Sequence, residues 1–355
     1  MAASSPETRM GLPQDATLAP PEAKPAGSHP RLARTDDPPV VSVCIANWNC
    51  RELLRRCLES LHRQPQGVRF ETVVVDNGSA DGAADMVAGE FPDVTLVRNR
   101  ENLGFSRASN QAAAKARGRY LFFLNNDTVV PPQTLRRFVA FAEAHPGVGM
   151  VGPRLRGPDG EHQISYRRRP TVAALLHRVS LLRWTGLFRS AYYEYRRDSF
   201  APDGVRPVEV LMGAAVFLPR EVFDTSGRWD ERYVFGGEDL DLSTQVGRER
   251  PVVYVGDVEV VHHGRAASRA NVSFAAPNVA VGYVHYFRKA GERRAALLAY
   301  KALVTLDAPV QVVGKTAQAA VRWVRGDREK ARKSWQAAGG AWHFVRAELV
   351  RFWRA

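Results

Sequence analysis

Val40-Val41-Ser42-Val43-Cys44-Ile45-Ala46, running into Asn47-Trp48-Asn49, is the stretch that decides the fold. A short, mostly β-branched run with no polar alternation reads as a strand buried on both faces. Arg51 to His62 follows, with Leu53, Leu54, Cys57, Leu58 and Leu61 at helical spacing. The same pair of elements then recurs. Phe70 to Val75 reads as a strand ending at Asp76, and Ala80 to Glu90 as a helix. Val94 to Arg98 and Ser106 to Arg117 form the next pair, and Tyr120 to Leu124 with Pro132 to His145 the last. Strand–helix alternation with short links predicts an α/β fold, a mostly parallel sheet with helices on both faces. Ligands of such sheets bind outside the carboxyl ends of the strands. Asn47 and Asn49, Asp76-Asn77 and Asn125-Asn126-Asp127 all fall there.

Downstream of Val151 the pattern loosens. Arginines mix with Trp184, Phe188, Tyr192, Tyr193 and Tyr195 up to about residue 206. A strand is expected over Val208 to Leu218, then the turn Gly227-Arg228-Trp229-Asp230-Glu231 and a helix opening at Gly236-Gly237-Glu238-Asp239-Leu240-Asp241. Two further strands, Pro251 to Val255 and Val258 to Val261, lead to His262-His263-Gly264. From Gly291 the chain turns Ala-, Arg- and Trp-rich and helical. At the other end, residues 1–39 hold eight of the 22 prolines and little that packs, and read as a disordered leader.

The 355 residues are 45% hydrophobic and 25% charged, which excludes wholesale disorder and collagen-like repeats. The formal charge of +13 is localised. Residues 154–206 carry 11 arginines against 5 acids, and residues 290–355 carry 13 Lys and Arg against 5 acids. The remainder is close to neutral, unlike a protein basic throughout that binds nucleic acid. Cys44, Cys50 and Cys57 form neither a disulfide framework nor a zinc pattern, which fits a reduced cytosolic setting. No secretory signal stands at the start. No stretch approaches the roughly 18 uninterrupted apolar residues of a membrane span. The run from Leu303 to Val324 is broken by Asp307, Pro309, Lys315 and Arg322. An integral membrane protein is therefore not expected.

Four clusters carry candidate chemistry, and each has a plainer reading beside it. Asp76 in Asp76-Asn77-Gly78-Ser79 is placed to accept hydrogen bonds from a nucleotide, but the same four residues make an ordinary turn. Asp127 is a hard oxygen ligand for Mg²⁺ or Mn²⁺, or else caps the helix that follows. Glu238, Asp239 and Asp241 suit a helix N-terminus electrostatically, and one of them at a glycine-flanked start is placed to act as a general base. His262 or His263 is a metal ligand or a surface histidine.

Taken in order, these motifs resemble glycosyltransferase family 2, the inverting GT-A enzymes, and within it the bacterial rhamnosyltransferase-like subgroup. The resemblance covers about residues 40–270 and rests on many separated motifs. Val75-Asp76-Asn77-Gly78-Ser79, Asn102-Leu103-Gly104-Phe105 through Asn110, and Leu124-Asn125-Asn126-Asp127-Thr128 carry its first part. Gly213-Ala214-Ala215, Gly227-Arg228-Trp229-Asp230-Glu231, Glu238-Asp239-Leu240-Asp241 and His262-His263-Gly264 carry the rest. It implies a GT-A, Rossmann-like domain over 40–290, with a nucleotide-sugar-binding half at 40–150 and an acceptor-binding half at 151–290. A basic amphipathic helical tail follows at 291–355. By the same resemblance Asn49, Asp76, Asn77, Asn102, Gly104, Asn110 and Asn126 would bind the nucleotide, while Asp127 and His262 would hold a divalent cation, Mg²⁺ or Mn²⁺. Asp239, paired with Glu238, would be the catalytic base, and Trp229, Asp230, Glu231 and Asp241 would meet the acceptor.

The implied reaction moves a sugar from dTDP-rhamnose or a UDP-sugar, with inversion, to a hydroxyl of a saccharide or polyprenyl-linked acceptor in cell-envelope polysaccharide assembly. Three departures stand out. Asn125 replaces the first carboxylate of the metal motif, Gln245 stands where the family has arginine, and Gln318-Ala319-Ala320-Val321-Arg322-Trp323 is one residue too long for the processive synthases' motif. A metal-dependent nucleotidyltransferase would carry a Gly-rich phosphate loop after the first strand, where this chain has Asn47-Trp48-Asn49-Cys50. A non-catalytic nucleic-acid binder would show strongly salt-dependent affinity. Arg167-Arg168-Arg169 reads either as a contact for an acceptor phosphate or as a solvated loop. In the tail, Trp335, Trp342, Val345, Leu349, Phe352 and Trp353 fall near one helical face, away from Lys333, Arg351 and Arg354. That pattern suits an interfacial helix on the inner face of an anionic membrane, with packing against the domain as its competitor, and Gly339-Gly340 interrupts it. The expected location is cytoplasmic, peripheral on that membrane.

Overall fold

The computed structural model describes residues 38–197, 202–264 and 272–355, so the expected leader lies, except for its last two residues, outside the described part. Eleven strands are described, numbered here in chain order. They are β1 (Val41–Asn47), β2 (Phe70–Asn77), β3 (Thr95–Asn99), β4 (Tyr120–Leu124), β5 (Thr128–Val129), β6 (Met150–Arg156), β7 (Tyr166–Arg167), β8 (Val205–Pro207), β9 (Val210–Leu211), β10 (Ala215–Pro219) and β11 (Val252–His262). The main sheet has the order β3-β2-β1-β4-β10-β6-β11-β5, with β8 also paired to β11. The pairs β1–β2, β2–β3, β1–β4 and β6–β11 are parallel, while β10, β5 and β8 run against their neighbours. The result is the mostly parallel mixed sheet that the strand–helix alternation implies.

Side-chain alternation splits each central strand between two cores. Val41, Val43 and Ile45 of β1, with Tyr120, Phe122 and Leu124 of β4, face the helices Arg51–His62 and Thr134–Ala144. Cys44, Leu121 and Phe123 face the other side, where the helices Phe105–Lys115 and Glu238–Val246 lie. Burial on both sides is why these strands read as continuous apolar runs. A third core joins the helix Val172–Leu176 to the helices Val272–Lys289 and Arg294–Val324 and to the chain end, through Tyr233, Leu240, Phe287, Tyr300, Phe344 and Phe352.

Several expectations need correction. The single strand expected over Val208 to Leu218 is two strands in different sheets, β9 with β7 and β10 in the main sheet. They part at Met212-Gly213-Ala214, where the chain passes close to Asp239. The two strands expected over 251–261 are one, β11, whose register shifts between Val255 and Glu259. Arg167 is not in a solvated loop, since it lies in β7 with its guanidinium ion-paired inside the fold. The helix Arg328–His343 runs through Gly339-Gly340 without a break. The expected tail face is divided, with Phe352 fully buried while Trp335 and Trp342 stand exposed. Finally, the run judged too interrupted to matter lies within Arg294–Val324, the one helix among the described residues long and apolar enough by length and composition to cross a membrane.

Candidate active site

The carboxyl ends of β1, β2 and β4 are tied together by side-chain amides. The β1–β2 register sets Asn47 opposite Asp76. Asn47 Nδ2 donates to Asp76 Oδ1 at 2.9 Å, and Asn126 Nδ2 donates to Asn47 Oδ1 at 2.7 Å. Asp76 Oδ2 accepts from the Ser79 N–H at 3.1 Å, which fixes the turn after β2. Asn49 holds a positive φ of 51°, and its Oδ1 accepts from the Ala80 N–H at 2.8 Å. One network thus links Asp76 and Asn126, with Asn49 fastened to the same turn.

Asn77, Asn102 and Asn110, expected to bind nucleotide, have their amides engaged in the framework. Asn77 Nδ2 donates to Asn102 Oδ1 and to the Gly104 carbonyl, while its Oδ1 accepts from Asn99 Nδ2 and the Leu103 N–H. Asn102 Oδ1 also accepts from the Gly104 N–H. Asn110 Nδ2 donates to the Trp229 carbonyl at 2.8 Å and to Glu231 at 3.1 Å, stitching the two halves together.

Asp127 and His262 meet because β5 pairs with the end of β11, His262 lying opposite Thr128. The His263 N–H donates to the Asp127 carbonyl at 2.8 Å. His262 Nε2 stands 3.3 Å from Asp127 Oδ1. Gln163 fixes the ring from behind, since its Nε2 donates to the His262 carbonyl at 2.8 Å and its Oε1 pairs with His262 Nδ1 at 2.9 Å. An Nδ1–H donated to Gln163 Oε1 leaves Nε2 as a lone pair facing a carboxylate. That atom is buried and makes no hydrogen bond. Two acceptors turned toward each other favour a cation between them, so the donor set fits a divalent ion. No cluster of three or more His, Cys, Asp or Glu ligands occurs among the described residues. The remaining coordination would have to come from substrate oxygens and water, the usual habit of Mg²⁺.

The helix Glu238–Val246 begins at Gly237, whose φ of 98° is the left-handed conformation that glycine tolerates. Its three carboxylates have different surroundings. Asp239 Oδ1 accepts from Arg167 Nη2 at 2.9 Å and from the Leu240 N–H at 2.8 Å. Glu238 Oε2 is buried without a hydrogen-bond partner. Burial and the neighbouring Asp239 charge push the Glu238 carboxyl up to about 8. Asp241 turns inward, with Lys289 Nζ at 2.7 Å and the Tyr233 hydroxyl at 3.5 Å.

These clusters share one end of the sheet. The Asn125 N–H donates to the Ala214 carbonyl at 2.9 Å, joining the end of β4 to the start of β10. One residue back, a Cβ on Gly213 would sit 3.2 Å from Asp239 Cβ. The loop bearing Asp127 is thus linked to Asp239 through Asn125, Ala214 and Gly213.

The residues expected to meet an acceptor lie largely within the fold. Trp229 is buried edge-on against Phe105 and Phe123. Asp230 pairs with Arg232 at 2.5 Å and Lys289 at 3.2 Å, and these partners hold its carboxyl well below the usual range against the opposing effect of burial. Glu231 pairs with Arg107 at 3.0 Å. Sequence reasoning missed Arg167 as the partner of Asp239, Gln163 as the brace of His262, and Lys289 as the cation between Asp230 and Asp241. Arg167 and Gln163 sit in the irregular 154–206 stretch, where no periodicity marked them.

Residues 42–206 match the Glycosyl transferase family 2 model. That segment, 165 of the 355 residues, is similar to family 2 glycosyltransferases. Over 243 residues this glycosyltransferase is 29% identical to an N-acetylglucosaminyl-diphospho-decaprenol L-rhamnosyltransferase of Mycobacterium tuberculosis, covering 64% of this chain and 76% of that protein. It is also 29% identical to the O-antigen biosynthesis protein RfbC of Myxococcus xanthus, over 66% of this chain and 18% of that protein. Among solved structures, the mannosyltransferase PcManGT of Pyrobaculum calidifontis in complex with GDP-Man and Mn²⁺ aligns with TM-score 0.47 and 21% identity, over 85% of this chain and 87% of that one. The enzyme is a rhamnosyltransferase-like glycosyltransferase of the kind found in polysaccharide biosynthesis.

Proposed function

We propose that this enzyme transfers a sugar, with inversion, from a nucleoside-diphosphate sugar to a hydroxyl of a saccharide or polyprenyl-linked acceptor in cell-envelope polysaccharide assembly. dTDP-rhamnose and UDP-sugars are the donors considered. The observation that carries this reading is the run of Asp76, Asn126, Asp127, Gly213 and Asp239 along one end of the sheet, with His262 Nε2 turned onto Asp127. The named activity of the Mycobacterium relative supports the acceptor class.

Within that reading Asp76 and Asn126, with Asn49 beside them, receive the nucleoside end of the donor. Asp127 and His262 would hold a divalent cation, which when bound would neutralise charge developing on the departing diphosphate. Asp239 takes the proton from the attacking acceptor hydroxyl, and the oxygen then reaches the anomeric carbon from the face opposite the leaving group. Arg167 orients the Asp239 carboxylate through its 2.9 Å pair. Glu238, protonated near neutral pH, adds no second negative charge beside the base. Gly104 gives the turn before the helix Phe105–Lys115, and Trp229, Asp230, Glu231 and Asp241 form the frame beneath the acceptor. We place the enzyme on the cytoplasmic face of the membrane, attached peripherally through its C-terminal helices.

The test is Asp239→Asn. A general base contributes about 10²–10⁴ in rate, so turnover should fall by that factor while protection of the fold by donor nucleotide is kept. Retained turnover would remove Asp239 from the base role.

A further inference from the structure

The helix Arg294–Val324 has 31 residues, about 46 Å at 1.5 Å each. Leu298, Leu306, Val310, Val313, Val321 and Val324 are all exposed. At 100° per residue they occupy an arc of about 140°, and the four charged residues from 298 to 324, Lys301, Asp307, Lys315 and Arg322, fall outside it. Three of these four charged residues pack against the protein. Lys301 and Asp307 are buried, Lys301 Nζ donates to the Trp353 carbonyl at 2.9 Å, and Arg322 Nη1 donates to Ser334 Oγ at 2.9 Å. A helix crossing a bilayer would place Lys301 and Asp307 in hydrocarbon. One lying flat keeps both in protein and turns an uncharged face outward.

Aromatic and basic side chains flank this face. Trp323 and Trp335 wall an open cleft of about 830 Å³ with Arg328 and Arg332, and Arg328 lies 4.8 Å over the Trp323 ring. Trp342 and Trp353 are exposed as well, and Trp184, almost wholly exposed, follows the short helix Ser180–Arg183 that packs on the long one. Tryptophan at the boundary, basic residues around it and an uncharged stripe between are the marks of an interfacial helix. Residues 290–355 carry a net charge of +8. That charge opposes the pairing of two copies through this face and complements anionic lipid headgroups.

We infer that Arg294–Val324 is the membrane-docking element, lying in the plane of an anionic bilayer with Leu298, Leu306, Val310, Val313, Val321 and Val324 immersed. This deepens the peripheral attachment in the proposed function and makes this helix, in place of the Trp335 to Trp353 face, its main contact.

The experiment uses the full chain and floats it with phosphatidylcholine vesicles containing or lacking phosphatidylglycerol. Wild type should float with the anionic vesicles only. Val313→Asp and Leu306→Asp, at exposed positions, should lower vesicle partitioning at least tenfold while thermal unfolding and donor-sugar turnover on a water-soluble acceptor stay unchanged. Gly89→Asp places the same charge on a distant exposed helix with open space around it and should partition as wild type. Wild type that does not float, or Val313→Asp that floats as well as wild type, overturns the inference. A wild-type dimer in sedimentation that Val313→Asp dissolves overturns it too, by assigning the face to a second copy. Loss of turnover in every chain with these vesicle results intact would count against the enzymatic reading and leave the docking face standing.

Discussion

Glu238 and Asp239 are adjacent carboxyls with opposite surroundings. Arg167 and the Leu240 N–H donate to the Asp239 carboxylate, whereas the half-buried Glu238 has its Oε2 buried and unbonded. In the unfolded chain the Glu238 carboxyl titrates near 4.5, and in the folded one at about 8. Between those values the folded chain keeps a proton that the unfolded chain has released. Stability attributable to this group therefore falls as pH rises from about 4.5 to about 8, by at most about 1.4 kcal/mol per pH unit. Glu238→Gln should flatten that slope, read as urea midpoints at pH 5 and pH 8. An unchanged slope would mean Glu238 ionises normally in the fold. Asp76, Asp127, Glu238 and Asp239 were legible in the sequence because each follows a strand or opens a helix at a turn. Arg167 was not, because it stands 72 positions from its partner and only the β7–β9 pairing brings it back.

The helix Val272–Lys289 lies directly on the turn that presents these carboxyls. A Cβ on Gly282 would sit 2.1 Å from the Gly236 carbonyl oxygen, so the two backbones touch without a side chain between them. Gly282→Ala must push the helix or the turn away. It should cost about 1–3 kcal/mol and lower turnover more than donor affinity, measured as kcat against KM. A full-rate variant would show that the turn tolerates the shift. At the end of the same helix Lys289 neutralises Asp230 and Asp241. Lys289→Met leaves two carboxylates facing each other and should cost about 3 kcal/mol by denaturant titration. A loss within about 0.5 kcal/mol would mean that water replaces the ammonium. Neither dependence was readable beforehand, since a glycine and a lysine in a helix carry no sign of a partner about 50 residues away. Periodicity did place β1, β2 and β4 and the helix Arg51–His62, whose two-sided burial makes apolar runs unambiguous. It merged β9 with β10, because the break between them is imposed by the nearby helix Glu238–Val246 and not by local residues. It also undervalued Arg294–Val324, where charges counted along the chain hid their confinement to one side of the helix.

At the scale of the molecule, a double-faced sheet presents Asn47, Asp76 and Asp127 from the ends of β1, β2 and β4, and the carboxylates Glu238 and Asp239 come from the segment after β10. The helix Val272–Lys289 lies against that segment. The ties between the halves are specific: Asn110 to Trp229 and Glu231, Ser106 to the Tyr233 carbonyl, and Asn125 to Ala214. They bring residues far apart in sequence to one edge of the sheet, and the proposed cation-assisted transfer rests on that edge. The most direct measurement presents dTDP-rhamnose and a panel of UDP-sugars to the full chain, with Mn²⁺ or with chelator, and follows release of free nucleoside diphosphate. At least one donor should be consumed with Mn²⁺, lose at least tenfold in rate with chelator, and be consumed far more slowly by Asp239→Asn. Consumption that is indifferent both to chelator and to Asp239→Asn would contradict the convergence of these carboxylates on one donor.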